Sequence, residues 1–351
     1  MERPPIDFRS DNVTPAAPEV MEALLAANRG SASPYGADEH TRRLEALARE
    51  LFEKDDLAIL PVTTGSAANG LALSALTPPY GAIYCYERGH IMLDECGGPE
   101  LFTGGAKLIG LPAADGKLRP DQLEAPLAEA RGMGIHHVRP AVLSLTQATE
   151  WGTVYRPQEI AALAEAARSH GLRLHMDGAR FANAVASLGC SPADATWRAG
   201  VEALSLGATK NGALAAEAVV LFDPGLAEDL AYRRKRAGHL WSKGRFLSAQ
   251  LVAYLEDGLW LRHAAHANAM ARRLAQGLGG LPGARLVHPV EANEVFAALP
   301  EAVVVQLEQA GFGFYRWSAP TGDEGPVIRL VTSFATTAAD VDALLEVAGT
   351  P

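Results

Sequence analysis

Cysteine is scarce in this chain of 351 residues: Cys85, Cys96 and Cys190 stand far apart, with no CxxC pair. Three such thiols do not make a disulfide framework and lack the spacing of a structural zinc site, so a reducing cytosol fits. Positive charge is also short. A formal net charge of −10 speaks against general binding to nucleic acid or to an acidic membrane. Long apolar runs are missing as well. Residues 57–86 carry no charged side chain, but Pro61, Gly65, Gly70, Pro78 and Pro79 interrupt them. A membrane span needs about 20 continuous apolar residues, so the stretch reads as strand, turn, helix, turn and strand. The opening "MERPPIDFRSDNVTP" has no apolar h-region, which predicts a cytoplasmic protein without a secretory signal. There is no internal repeat and no low-complexity tract.

What the chain does have is a regular alternation. Apolar runs at 57–60, 82–86, 107–111, 141–146, 172–176, 201–206 and 218–222 read as strands. Helical patterns lie between several of them, at 65–76, near 120–131 and at 157–171. The last begins with Pro157 and ends with Gly171, the expected helix punctuation. Strands alternating with helices predict an α/β fold, a largely parallel sheet with helices on both faces. Residues 244–278 read as one long helix with Gly258 as its weak point. After "GGLPG" the texture changes to short elements, including "PVIRLVTS" and a helix near 338–348. The expected organisation is a large domain over 1–243 with the N-terminal segment, a linking helix over 244–278, and a small α/β domain over 279–351.

In open α/β sheets ligands sit at the carboxyl ends of strands, so the polar residues after each apolar run are the candidates. "LPVTTGSAANG" opens a helix with Gly65 and Ser66, whose free amides suit an anion, or Thr64 or Ser66 simply caps the helix. "HMDGAR" ends a strand at Asp177. That carboxylate can partner a protonated ring nitrogen, or it pairs with Arg180 as a helix cap. His90 follows another strand, as a structural histidine or as one that stacks on a cofactor and moves protons. Asp94, Glu95 and Cys96 read as a solvated helix face. Arg329 sits inside an apolar strand, where a carboxylate ligand or a buried glutamate would satisfy it. Ser10 and Asp11, and Tyr35 with Gly36, lie in turn-forming stretches. "RRKRAGHLWSKGRF" is a basic cluster that reads as a solvated face. Lys210, in "SLGATKNG", is either a surface cation or an amine held among small residues for chemistry. An anion cup, an acid for a ring nitrogen, a stacking histidine, an arginine for a carboxylate and a lysine together describe a pyridoxal phosphate (PLP) enzyme acting on an amino acid.

From "FRSDNVTP" through "PYGADE", "TTGSAANGLALSAL", "HMDGAR" and "TKNG" to "VIRLVTS", the sequence resembles the L-threonine aldolase family of the aspartate-aminotransferase-like (fold type I) PLP enzymes. "GHIMLDECGGPE" and "LSLTQATEWGTVY" are similar to its low-specificity bacterial branch. The resemblance implies a large, mostly parallel sheet domain and a small C-terminal α/β domain. It implies retro-aldol cleavage of L-threonine, L-allo-threonine and related β-hydroxy amino acids to glycine and an aldehyde, with β-elimination or transamination as the alternative reactions. Lys210 would form the Schiff base with PLP, Asp177 would hold the ring nitrogen, and Arg180 would lie near the ring hydroxyl and the substrate carboxylate. Gly65 and Ser66 would bind the phosphate, and His90 would stack on the ring near the β-hydroxyl. Ser10 and Arg329 would fix the substrate carboxylate, with Tyr35 also on the substrate side. Two departures stand out. Where other branches carry a phosphate-binding arginine, this chain offers Lys243 or Arg245, supplied across a subunit boundary of a homotetramer. An aromatic position four residues after the histidine is Asp94. No metal is expected, and Asn211 has no role on the sequence alone.

Overall fold

The computed structural model describes residues 6–317 and 325–349. Seven strands form the main sheet: β1 (Ala58–Val62), β2 (Gly81–Tyr86), β3 (Lys107–Leu111), β4 (Arg139–Thr146), β5 (Arg173–Gly178), β6 (Ala203–Gly207) and β7 (Glu217–Leu221). Their spatial order is β1-β7-β6-β5-β4-β2-β3. All run parallel except β7, which is antiparallel to both β1 and β6. The central strands are buried along their whole length, which is why they appear in the sequence as continuous apolar runs instead of alternating ones. Side chains still alternate between two cores. Leu143, Leu145, Leu204 and Leu206 pack on one face, and Val142, Ala203, Val219 and Leu221 on the other. Helix Gly65–Leu76 covers the second face through Ala68, Leu71, Ala72 and Leu76. Each fully buried leucine of this kind contributes about 1.5–3 kcal/mol.

A second sheet has four antiparallel strands: β8 (Arg285–Leu286), β9 (Glu294–Ala298), β10 (Tyr315–Trp317) and β11 (Val327–Val331), in the order β10-β11-β9-β8. Helices Glu301–Gln309 and Ala338–Ala348 flank it. Ile6 and Phe8 pack here rather than with the large sheet. Phe8 is buried in the small core, and its backbone bonds Gly313 and Val331.

The single helix expected over 244–278 is two helices, Arg245–Leu255 and Leu259–Gly279. Between them Asp257 and Gly258 both take left-handed backbone, at φ 51° and 69°, and a right-handed helix cannot continue through such residues. The break lets each helix bury a different face. Leu247, Leu251 and Tyr254 enter the large core. The second helix begins there with Trp260 and Ala264 and ends in the small core with Ala271, Leu274 and Leu278. Gly277 permits the last contact, since a Cβ there would lie 2.3 Å from Leu345.

Candidate active site

The carboxyl ends of β1, β2, β4, β5 and β6 carry the candidate residues. Lys210 follows β6 in a short 3-10 turn, Thr209–Asn211. Glu217, on neighbouring β7, accepts the backbone N–H groups of Ala208 (2.9 Å) and Thr209 (3.3 Å). Burial pushes the Glu217 carboxyl up to about 6 against those bonds. On the other side the Asn211 amide donates to the Tyr254 hydroxyl (2.9 Å) and the Trp260 carbonyl (2.8 Å), and His263 Nδ1 lies 2.9 Å from the Asn211 carbonyl. Asn211 is therefore a clamp that fixes the lysine turn to both halves of the broken helix. Gly207 lets the turn approach β5, because a Cβ there would sit 2.5 Å from the Ala179 carbonyl. The Lys210 amine has no ion-pair partner among the described residues. Its charge acts on Asp11, His90, Glu217 and Glu294 at longer range.

Asp177 ends β5 beside Thr146 of β4 and is buried. Its Oδ1 accepts from the Ala179 N–H (3.0 Å) and its Oδ2 from the Asn69 amide (2.8 Å). Asn69 also donates to Glu95 Oε1 (2.9 Å), and that oxygen lies 2.9 Å from His90 Nδ1. The Glu95 bond raises the His90 imidazole above its usual range against burial. The expected solvated face is thus split. Asp94 is exposed at the end of the short helix His90–Leu93, while Glu95 is buried. Glu150 closes the far side, accepting from the His90 N–H (3.0 Å) and Thr146 Oγ1 (2.8 Å). Burial pushes its carboxyl up to about 7.

The first turn of helix Gly65–Leu76 follows directly on β1. Thr64 is the cap of helix Gly65–Leu76: its hydroxyl accepts from the Ala67 N–H (3.2 Å) and its carbonyl from Ala68 (3.0 Å). The Gly65 and Ser66 amides remain, as the unpaired first turn of a helix should leave them. A Cβ on Gly65 would meet nothing within 4 Å.

Arg180 does not pair with Asp177. Its guanidinium grips buried Asp11 through two bonds (2.8 and 3.1 Å) and lies 3.4 Å from Glu294. Burial disfavours the Asp11 charge, yet Arg180 and Lys210 outweigh it and lower the carboxyl. Asn293 adds a further bond to Asp11 (3.1 Å), so the two domains meet here. Arg329 stacks over Trp317 and Tyr315, with its carbon 4.5 and 5.3 Å from the ring centres. It donates to the Arg9 carbonyl (3.1 Å), next to Ser10, while its buried Nε has no partner. Ser10 itself caps a 3-10 turn by accepting from Asn12.

The remaining predicted residues lie in a separate group. Tyr35 is exposed, bonds Ser242 through its backbone N–H and sits under the Lys235 ammonium. Lys243 is exposed, and Arg245 donates to the Gly30 carbonyl (3.3 Å). Within one chain no contact joins Tyr35, Lys243 or Arg245 to the Lys210 cleft among the described residues, whereas Asp94 sits at its edge, with its backbone N–H on the His90 carbonyl (2.9 Å). Sequence reasoning missed Asn69, Glu95, Glu150, Glu217 and Glu294, since nothing in their neighbours announces that they are buried.

The donor set fits PLP. It has a free primary amine, two unpaired amides for a phosphate, and a buried carboxylate that accepts one bond per oxygen and has lone pairs left for a ring N–H. With this strand order, those residues define a fold type I PLP enzyme. The beta-eliminating lyase family matches residues 7–302. Low-specificity L-threonine aldolases from a Pseudomonas species and from Pseudomonas aeruginosa are 45% and 47% identical to it, over 90% of both chains in each case. The solved threonine aldolase of Leishmania major superposes with a TM-score of 0.91 at 31% identity, covering 98% of each chain. The chain belongs to the beta-eliminating lyase family, in its L-threonine aldolase branch.

Proposed function

We propose that the protein cleaves the Cα–Cβ bond of L-threonine, L-allo-threonine and related L-β-hydroxy amino acids, releasing glycine and an aldehyde. Likeness to the two Pseudomonas aldolases over 90% of both chains supports the substrate class. The observation that carries the chemistry is His90. Its Nδ1 faces a buried carboxylate and its Nε2 has no partner among the described residues, so a base is available for the hydroxyl proton whose removal starts the cleavage. Such general-base help contributes about 10²–10⁴-fold in rate.

PLP, held by Lys210, Asp177, Gly65 and Ser66, supplies an electron sink for the bond being broken. Asp177 keeps the proton on the ring nitrogen. Arg329 and Ser10 hold the substrate carboxylate, which sets the scissile bond relative to the ring. Arg180, committed to Asp11, acts as a charged wall beside this position. His90 takes the β-hydroxyl proton. Asp94, beside His90 and Glu95, would face the substrate side from the same chain, whereas Tyr35 would reach the substrate, and Lys243 the phosphate, from a neighbouring subunit, in keeping with a homotetramer of shared sites in the cytosol. No helix among the described residues is long and apolar enough to cross a membrane.

Incubating the purified PLP-loaded protein with a panel of L-β-hydroxy amino acids tests this reading. Glycine and the matching aldehyde are expected in equal amounts. Ammonia and a keto acid in their place would mean elimination, and an amino-group acceptor requirement would mean transamination. Either outcome overturns the aldolase reading.

A further inference from the structure

We infer that Glu95 is a positioning residue for His90, holding the proton on Nδ1 so that Nε2 is presented to substrate, and that the Asn69 amide ties this carboxylate to Asp177. Three elements meet to make the unit: helix Gly65–Leu76, the turn after helix His90–Leu93, and the end of β5. Asn69 is buried and carries two hydrogens on Nδ2. One goes to Glu95 Oε1 (2.9 Å) and the other to Asp177 Oδ2 (2.8 Å). The reversed amide would point its oxygen at two carboxylates, so this orientation is the one the chemistry permits. Because Glu95 Oε1 already accepts from Asn69 and an ionised carboxylate has no hydrogen to give, Nδ1 of His90 must be the donor across the 2.9 Å contact. The neutral imidazole is then fixed in the tautomer whose lone pair is on Nε2.

The Glu95 side chain has no solvent exposure, whereas that of His90 is 41% exposed. Burying a carboxylate costs several kcal/mol unless a charged or hydrogen-bonded partner offsets it. A glutamine would fill the same space and make the same number of contacts without that cost. What the carboxylate adds is charge beside the imidazole. The groups facing His90 are Glu95, Asp177 and Glu150 on the acidic side and Lys210 on the basic side. Of these Glu95 alone touches the ring. Its removal should lower the affinity of His90 for a proton, as loss of an adjacent opposite charge does.

The inference rests on the aldolase reading for its effect on rate, but not for its effect on the ring. Glu95→Gln in the PLP-loaded protein should keep the visible absorption of the cofactor. With histidine labelled at Cε1, and His90 assigned through His90→Asn, the NMR titration midpoint of His90 should move to lower pH in the variant, with no substrate present. Turnover should fall about 10²-fold with KM little changed, and the acid limb of the rate profile should move to lower pH with the ring. Glu95→Asp, which keeps the charge but shortens the reach, should fall between wild type and Glu95→Gln, and it carries the test if the glutamine variant does not fold. A His90 midpoint that stays put or rises in whichever variant folds would overturn the inference. Failure of the wild type to cleave any β-hydroxy amino acid would sink the aldolase reading and leave the titration result standing.

Discussion

The cleft at the strand ends and the basic segment around Tyr35, Lys243 and Arg245 are both rich in polar groups, but they are built differently. In the cleft most polar side chains are bonded to one another inside the same chain, with the Lys210 amine left free among the described residues. Asp177, Asn69, Glu95 and His90 form one bonded series, and Asp11, Arg180, Asn293 and Glu294 form another. In the basic segment Lys243 is exposed, and Arg245 meets a carbonyl and the Phe246 ring but no carboxylate among the described residues. Pre-organised groups hold a reacting centre without rearrangement at the moment of reaction. Loose cations suit a role completed by something outside the chain, such as a phosphate presented by a second subunit. Changes in the two regions should therefore differ greatly in size.

The largest effect is expected at Lys210. Lys210→Ala should bring cleavage to background and remove the cofactor's visible absorption after dialysis, because no other amine is held in that cleft. A variant that keeps the band would move the cofactor anchor elsewhere. Next comes Asp11→Asn, which keeps the shape but leaves buried Arg180 with Glu294 alone. Breaking a buried pair on one side costs about 3–5 kcal/mol, readable by denaturant unfolding at neutral pH. Since the Asp11 carboxyl is held below its usual range, the stability it contributes is present above the ordinary carboxylate pKa and lost as pH falls through the lowered value. The gap between wild type and Asp11→Asn should thus close in strong acid. The smallest change is expected at Lys243→Ala: an apparent PLP affinity lower by about 1 kcal/mol, roughly fivefold, as for an exposed ion pair, with stability unaltered. A loss as large as that at Lys210 would erase the distinction between the two regions.

How much of this was legible in the sequence follows from how local each feature is. Lys210, Asp177 and the Gly65–Ser66 turn could be singled out because each lies at the end of an apolar strand, where the turn itself positions the group. Asp94 and Glu95 show the limit. They are adjacent and chemically alike, and only the packing of a four-residue helix against Asn69 decides that one is solvated and the other buried. Spacing alone left an Asp177–Arg180 pair as one of two readings, and Asp11, from 169 positions earlier, takes Arg180 instead. The helix over 244–278 was read as unbroken because Gly258 alone is tolerable in a helix, whereas left-handed backbone at Asp257 and Gly258 together is not.

By itself the sequence determined the layers of the large sheet, the helix that begins at Gly65, and the placing of Lys210 and Asp177 at the ends of neighbouring strands. Apolar periodicity and turn chemistry act within a few residues, so they can be read from the chain in order. The tertiary structure alone decided which carboxylates are buried and what they touch. It gave His90 its orienting partner, gave Arg180 its counter-charge and made Asn211 the clamp of the lysine turn. Apart from the His90–Glu95 contact, which spans five residues but is fixed by Asn69, those outcomes depend on contacts between segments tens to hundreds of residues apart, and burial of a charge is set by everything that surrounds it.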